Sequence, residues 1–408
     1  MPEITFADVA AMDAGDPLAH VRERFAIADQ TIYLDGNSLG ALPRETPARV
    51  QECIVQQWGS DLIQSWNTHD WIGLPKRIGG KIANLIGARD DEVIVCDSTS
   101  INFFKLINAA LARADPAKKV LTEDRGFPTN RYMLDSIGHE RVVAVARDDL
   151  LSRLDETVAL LALTHVDYRS GEMLDMGQVT EAAHRVGALV LWDLSHSAGA
   201  VPLNLQGSDA DLAVGCGYKY LNGGPGAPAY LYVKRALQAE LQTPLPGWLG
   251  HADPFAFSQD YEGGAGIERF LCGTPPILSM AALECGIDQF AALDTDELYA
   301  KGRELCELYI ALMEQTCAGC DFKLVSPRDA ARRGCHVSYS HPHAYEVCQA
   351  LIARKVIGDF RTPDVFRAGF APMYTRFVDV WRAVEHIRDV MQTGAWNQEA
   401  FRSRNRVT

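Results

Sequence analysis

No apolar run in these 408 residues reaches the about 18 that a membrane-crossing helix needs. The sequence therefore predicts no transmembrane segment. Its beginning, Met1-Pro2-Glu3, lacks the basic and apolar stretches of a secretory signal. It also lacks a basic stripe: 39 Lys and Arg stand against 53 Asp and Glu, a net charge of −14. Nucleic-acid binding is not expected from such a balance. The acidic excess serves solubility and says little of a site's local field. Only one CxxC occurs, Cys317-Ala-Gly-Cys320, and a zinc site would need a second pair. No metal is expected. The ten cysteines are scattered rather than spaced as a disulfide framework. These features together predict a cytoplasmic protein with reduced thiols. Internal repeats and low-complexity segments are missing too.

What is present suits an ordinary globular protein, 47% hydrophobic and 23% charged. The length allows one large core and a smaller one. Short apolar runs predict strands at 93–95, 120–121, 158–163, 188–192, 212–214 and 230–233. Amphipathic patterns at 101–114 and 178–186 predict helices between them. Strands alternating with helices imply a mostly parallel sheet. Later in the chain a long helix is predicted over 298–317, a strand over 336–339 and a helix over 345–355. Two short strands should follow within 356–370, then a closing helix over 377–391. The expected division is a large α/β domain over 56–295 and a smaller α+β domain over 296–408. The segment 1–55 should pack with the smaller domain.

In parallel sheets, ligands bind beyond the carboxyl ends of the strands, and chemistry-bearing residues cluster there. Lys219 follows a strand and precedes the glycine-rich Gly223-Gly-Pro-Gly226. Alone, such a lysine is usually a surface residue. Upstream, Asp193 ends an apolar strand and His196 follows three residues later. A strand-end aspartate is usually a turn cap, but a buried carboxylate without a partner is costly. Pyridoxal phosphate (PLP) needs a lysine for its Schiff base and an acidic partner for its pyridinium nitrogen. The lysine must lose its proton to act as nucleophile and base. Asp97-Ser-Thr-Ser-Ile-Asn102 opens a helix, where hydroxyls and backbone N–H groups make a phosphate seat. Ser/Thr there is otherwise only an N-cap. Phe127 lies in a loop after the second strand, where an aromatic ring can stack on a cofactor. Each signal is weak by itself. Their succession, each at a strand end, is what points to PLP.

Several motifs carry a resemblance. They are Tyr33-Leu-Asp-Gly-Asn-Ser-Leu-Gly40, Phe127-Pro-Thr129, Trp192-Asp-Leu-Ser-His-Ser-Ala-Gly199 and Tyr218-Lys-Tyr-Leu-Asn222. Gly247-Trp-Leu-Gly-His251, Cys272-Gly-Thr-Pro-Pro276 and Arg361-Thr-Pro-Asp364 complete the set. Along nearly its whole length the chain resembles the kynureninases, PLP enzymes of fold type I in the aminotransferase class V group. Tyr-Lys-Tyr-Leu-Asn with Gly-Trp-x-Gly-His is specific, whereas the Asp…His spacing is shared with cysteine desulfurases.

The resemblance implies hydrolysis of L-kynurenine, and of 3-hydroxykynurenine, in tryptophan catabolism. It implies that Lys219 carries PLP and shuttles protons, that Asp193 pairs with the pyridinium nitrogen and that His196 lies close by. Thr99, Ser100 and Tyr218 would contact the phosphate, with Tyr218 also an acid–base group. Phe127 would stack on the ring, and Thr164 would lie at its edge. Trp248 and Thr274 would reach the phosphate from a neighbouring subunit, which implies a homodimer with shared sites. Arg367 would grip the substrate carboxylate, a task suited to a two-pronged guanidinium, with Ser38 and Gly273 also near the substrate. Without the resemblance, Arg367 reads as a strand-edge surface residue. One departure stands out: the family's Phe-Pro-Ser/Thr-Asp ends in Asn130 here, also near the ring. Two alternatives remain open. One is a cysteine desulfurase using Cys335 or Cys348. The other is a catalytically inactive PLP-binding relative.

Overall fold

The computed structural model describes residues 3–404. Seven strands form the large sheet: β2 (Val93–Val95), β3 (Lys119–Glu123), β4 (Val142–Val145), β5 (Val158–Thr164), β6 (Leu189–Asp193), β7 (Leu212–Gly215) and β8 (Tyr230–Val233). A short β1 (Ile32–Tyr33) precedes them. After them come β9 (Lys323–Leu324), β10 (His336–Ser340), β11 (Val356–Ile357), β12 (Asp359–Arg361) and β13 (Val365–Gly369). The large sheet runs in the order β2-β8-β7-β6-β5-β3-β4. Its pairs from β7 to β4 are parallel, while β8 is antiparallel to both β7 and β2.

The central strands are apolar on both faces because helices cover both faces. All seven residues of β5 are buried. Period-2 alternation sends Leu161, Leu163, Val190 and Trp192 into one core layer and Leu160, Ala162 and Leu191 into the other. The second layer packs on Phe103, Leu106 and Ile107 of the helix Thr99–Ala112. Each large side chain so buried stabilises the fold by about 1.5–3 kcal/mol. The helix Leu74–Ile86 lies so close to β2 that a Cβ at Gly79 would stand 2.3 Å from the Val93 carbonyl oxygen.

The second sheet has four antiparallel strands in the order β12-β13-β10-β9. Three strands occupy the region where the sequence predicts two. Gly358 divides β11 from β12, and the two belong to different sheets. β11 pairs in parallel with β1, Ile32 beside Val356. The chain's beginning is thus hydrogen-bonded to a strand more than 300 residues later. No helix among the described residues is long and apolar enough to cross a membrane.

Candidate active site

Lys219 sits in the turn after β7. The turn is pinned by Asn222 N–H to the Lys219 carbonyl (2.9 Å) and by Gly40 N–H to the Tyr218 carbonyl (2.8 Å). Gly40 has no room for a side chain, since a Cβ would lie 2.2 Å from the Lys219 oxygen. The Tyr33–Gly40 segment therefore buttresses the lysine from behind.

The Lys219 Nζ lies 3.0 Å from His196 Nε2. His196 follows β6, whose last residue Asp193 stands beside Thr164 of β5 in register. Asp193 is buried. Its Oδ1 accepts from the Ser195 N–H and its Oδ2 from Asn130 Nδ2, both at 2.9 Å. No cation pairs with Asp193 among the described residues. Burial, then the charges of Lys219 and Arg367, hold the His196 imidazole well below its usual range, so it is neutral. Burial, with Cys216 and Asp193 nearby, pushes the Tyr218 phenol up and keeps its proton on.

These groups line one cavity of about 130 Å³. Ser98, Thr99 and Ser100 enter it from the start of the helix Thr99–Ala112, with the Ser98 hydroxyl capping Ile101 N–H (3.4 Å). Such a helix start attracts anions. The neighbouring Asp97 is compensated by Lys105, a fully buried ammonium that also binds the Phe270 carbonyl (2.6 Å). Phe127 and Tyr168 border the opening with their rings edge to face, centroids 5.4 Å apart. Sequence reasoning singled out Thr99, Ser100, Phe127, Asn130, Thr164, Asp193, His196, Tyr218 and Lys219, and one cavity brings them all together. It missed Ser98, Thr129, Tyr168 and Ser195, which had only position in a motif or loop to mark them.

The cavity suits PLP. A buried carboxylate with no cationic partner matches a pyridinium nitrogen, a lysine stands beside it, and a helix start with hydroxyls faces the space. Thr164 Oγ1 and His196 Nδ1 are buried without a hydrogen-bond partner among the described residues.

Trp248, Gly273 and Thr274 do not line this cavity within one chain. Trp248 contacts Trp66 and Phe255 instead, ring centroids 6.3 and 5.9 Å away. Arg367 is no surface arginine. It lies on β13, inside the four-stranded sheet, and is 1% exposed. Its Nε donates to Asp359 Oδ1 (2.8 Å), its Nη2 to Asp359 Oδ2 and to Ser38 Oγ (2.9 Å), and its Nη1 to the Tyr168 carbonyl. Arg361 also reaches Ser38 Oγ (3.2 Å) and Asp359 (2.8 Å). Both arginines hold the Asp359 carboxyl well below the usual range, against its burial. Ser38 is therefore a hub between two guanidiniums and a carboxylate. Asp359 was not foreseen; only its place directly before Phe360-Arg361 could have signalled it.

A family model described as the kynureninase C-terminal domain matches residues 298–387. A kynureninase of Burkholderia mallei (strain ATCC 23344) is 50% identical, covering 99% of this chain and all of the relative. One of Pseudomonas fluorescens is 46% identical, covering 98% and 99%. Solved structures share the fold at low identity. The apo cysteine desulfurase of Thermococcus onnurineus NA1 aligns at TM-score 0.79 and 18% identity, covering 92% of this chain and 98% of that one. A C-DES mutant with glycine covalently linked to its PLP cofactor aligns at TM-score 0.78 and 17% identity, covering 90% and 99%. Full-length identity near one half, carried on a cavity built for PLP, places the chain in the kynureninase family of PLP-dependent hydrolases.

Proposed function

We propose that the protein hydrolyses L-kynurenine to anthranilate and L-alanine, with 3-hydroxykynurenine as a second substrate. The observation that carries this reading is the meeting of Lys219, His196 and Asp193 in one cavity of a chain half identical to kynureninases. When bound, PLP supplies an electron sink for the substrate's α-carbon. Lys219 would hold it covalently, Asp193 would face its ring nitrogen, and Ser98, Thr99 and Ser100 would seat its phosphate. Phe127, Asn130 and Thr164 would border its ring.

The chain's own groups then divide the work. Lys219 Nζ moves the proton of the substrate α-carbon, and neutral His196 accepts a hydrogen bond from that amine. Tyr218 keeps its phenol proton at neutral pH and so can deliver it to the β-carbon of the alanine fragment that remains when anthranilate leaves. General acid help of this kind contributes about 10²–10⁴-fold. Arg367, with Ser38, orients the substrate carboxylate. Trp248 and Thr274 act in the cavity of a second copy, which makes the working unit a homodimer, and Gly273 lies near the substrate ring. Residues 56–295 form the large cofactor-binding domain and 296–408 the smaller one, with the N-terminal segment 1–55 belonging with the smaller. The protein works in the cytoplasm, a setting that suits its ten free thiols.

A desulfurase reading requires a reachable thiol. Cys335 and Cys348 are buried, and their thiols donate to the Phe370 and Gly358 carbonyls. The test is release of anthranilate, followed by fluorescence, from PLP-loaded protein given L-kynurenine, with 3-hydroxykynurenine and L-cysteine in parallel. Anthranilate with an equal amount of alanine supports the reading. Sulfide from cysteine with no anthranilate overturns it.

A further inference from the structure

His336 begins β10 and is 0% exposed, yet neither of its ring nitrogens has a hydrogen-bond partner among the described residues. Its ring centroid lies 5.4 Å from that of His196, the planes tilted by 56°. His196 is unpartnered on the side away from Lys219, at Nδ1. Three buried imidazole nitrogens therefore share one small region, although buried polar groups are almost always bonded. Their chemistry is complementary. A lysine ammonium only donates, so His196 Nε2 must accept from it, and the proton of the neutral ring must sit on Nδ1. Nδ1 is then a donor in need of an acceptor. A neutral His336 offers one acceptor nitrogen and one donor. The charged groups facing His336 are Arg367 on β13, Asp359 and Arg361 on β12, and Lys219. Burial, with the cations among them, keeps His336 neutral.

We propose that His336 is a positioning residue for Lys219, acting through His196. One buried water bridges the two rings and locks His196 in the Nδ1–H tautomer, with Nε2 turned to the lysine. A water needs two to four polar partners to be held in a protein interior, and the two rings supply them. This deepens the hydrolase reading and rests on it for its consequence, but the tautomer itself does not depend on the substrate.

The test is ¹⁵N-histidine NMR of the PLP-loaded and cofactor-free protein, beside the pH titration of the loaded enzyme's absorbance. The wild type is expected to show His196 protonated at Nδ1 and neutral. In His336→Phe the tautomers should mix. The absorbance midpoint should move to lower pH by roughly half a unit, because the cationic lysine loses a fixed acceptor. His336→Gln, whose amide still bonds water, should restore most of both. In a His196→Gln background, His336→Phe should add nothing. A wild-type His196 protonated at Nε2 overturns the proposal, even if His336→Phe does not fold. An unchanged tautomer and midpoint in folded His336→Phe overturn it as well. A wild type that shows the tautomer but releases no anthranilate leaves the relay standing and removes the substrate assignment.

Discussion

Asn130 donates its side-chain N–H to the very oxygen of Asp193 that no backbone group serves, Oδ2, at 2.9 Å. An aspartate at this position, the residue expected from the family motif, would set two carboxylates in contact inside the cavity. Like charges at that distance do not both ionise, so one acid would hold its proton above the usual range. Asn130→Asp is therefore expected to weaken the cofactor-free fold more at pH 8 than at pH 5, by about 1–3 kcal/mol. Urea unfolding at both pH values measures it. An equal cost at the two would show that the pair is not in contact.

Tyr218 and Lys219 should separate binding from chemistry. Lys219→Ala is expected to lose both the absorbance of covalently held PLP and turnover. Tyr218→Phe should keep the absorbance and lower kcat by about 10²–10⁴-fold with little change in KM. Steady-state rates with spectra decide it, and an undiminished kcat would remove the acid role of the phenol.

Asp359 compensates a guanidinium that has no access to water. Asp359→Ala should cost about 3–5 kcal/mol, the price of an uncompensated buried charge. Arg367→Lys keeps the charge but loses the two-pronged hold on Asp359 that fixes the side chain, and should raise KM for kynurenine about tenfold or more. Denaturant melts and kinetics test the two separately. A stable Asp359→Ala protein would mean that Asp35 and Ser38 suffice to hold Arg367.

Acid should loosen the fold early. Burial pushes His165 down to about 3 and holds His196 and His336 well below their usual range. The folded state then binds fewer protons than the unfolded chain below about pH 6.5, so stability falls as pH drops through that value. Asp35 and Glu123, whose carboxyls burial pushes up, act in the opposite sense. The balance is expected at about 1–3 kcal/mol per pH unit near pH 5. Urea melts from pH 7.5 to 5 would show it, and flat or rising stability towards pH 5 would contradict it.

The central strands were legible because each is a continuous apolar run. Thr164 and Asp193 could be placed at strand ends because β5 and β6 each close such a run with a polar residue. β4 escaped because Val142–Val145 lies at the sheet's edge, half-buried, with no contrast to mark it. The reversed direction of β8 between β2 and β7 escaped because periodicity carries no strand direction. His336 read only as the first residue of a strand. Its meeting with His196, 140 positions earlier, arises from how β10 packs against the turn after β6. The Asp359–Arg367 pair likewise depends on the register of β12 against β13, which no local pattern encodes.

The link from Ser38 to Arg367 spans 329 positions, and β1 is bonded to β11 just beyond it. A ribosome must therefore make nearly the whole chain before the carboxylate corner can close. Contacts so distant in sequence form late, because the loop they close costs entropy before it gives anything back. Between the making of Lys219 and that of Arg367 the nascent protein would hold a nearly finished cofactor cavity beside a substrate grip with only one of its halves. Chemistry would begin only when the last-made part of the chain folds back onto the first.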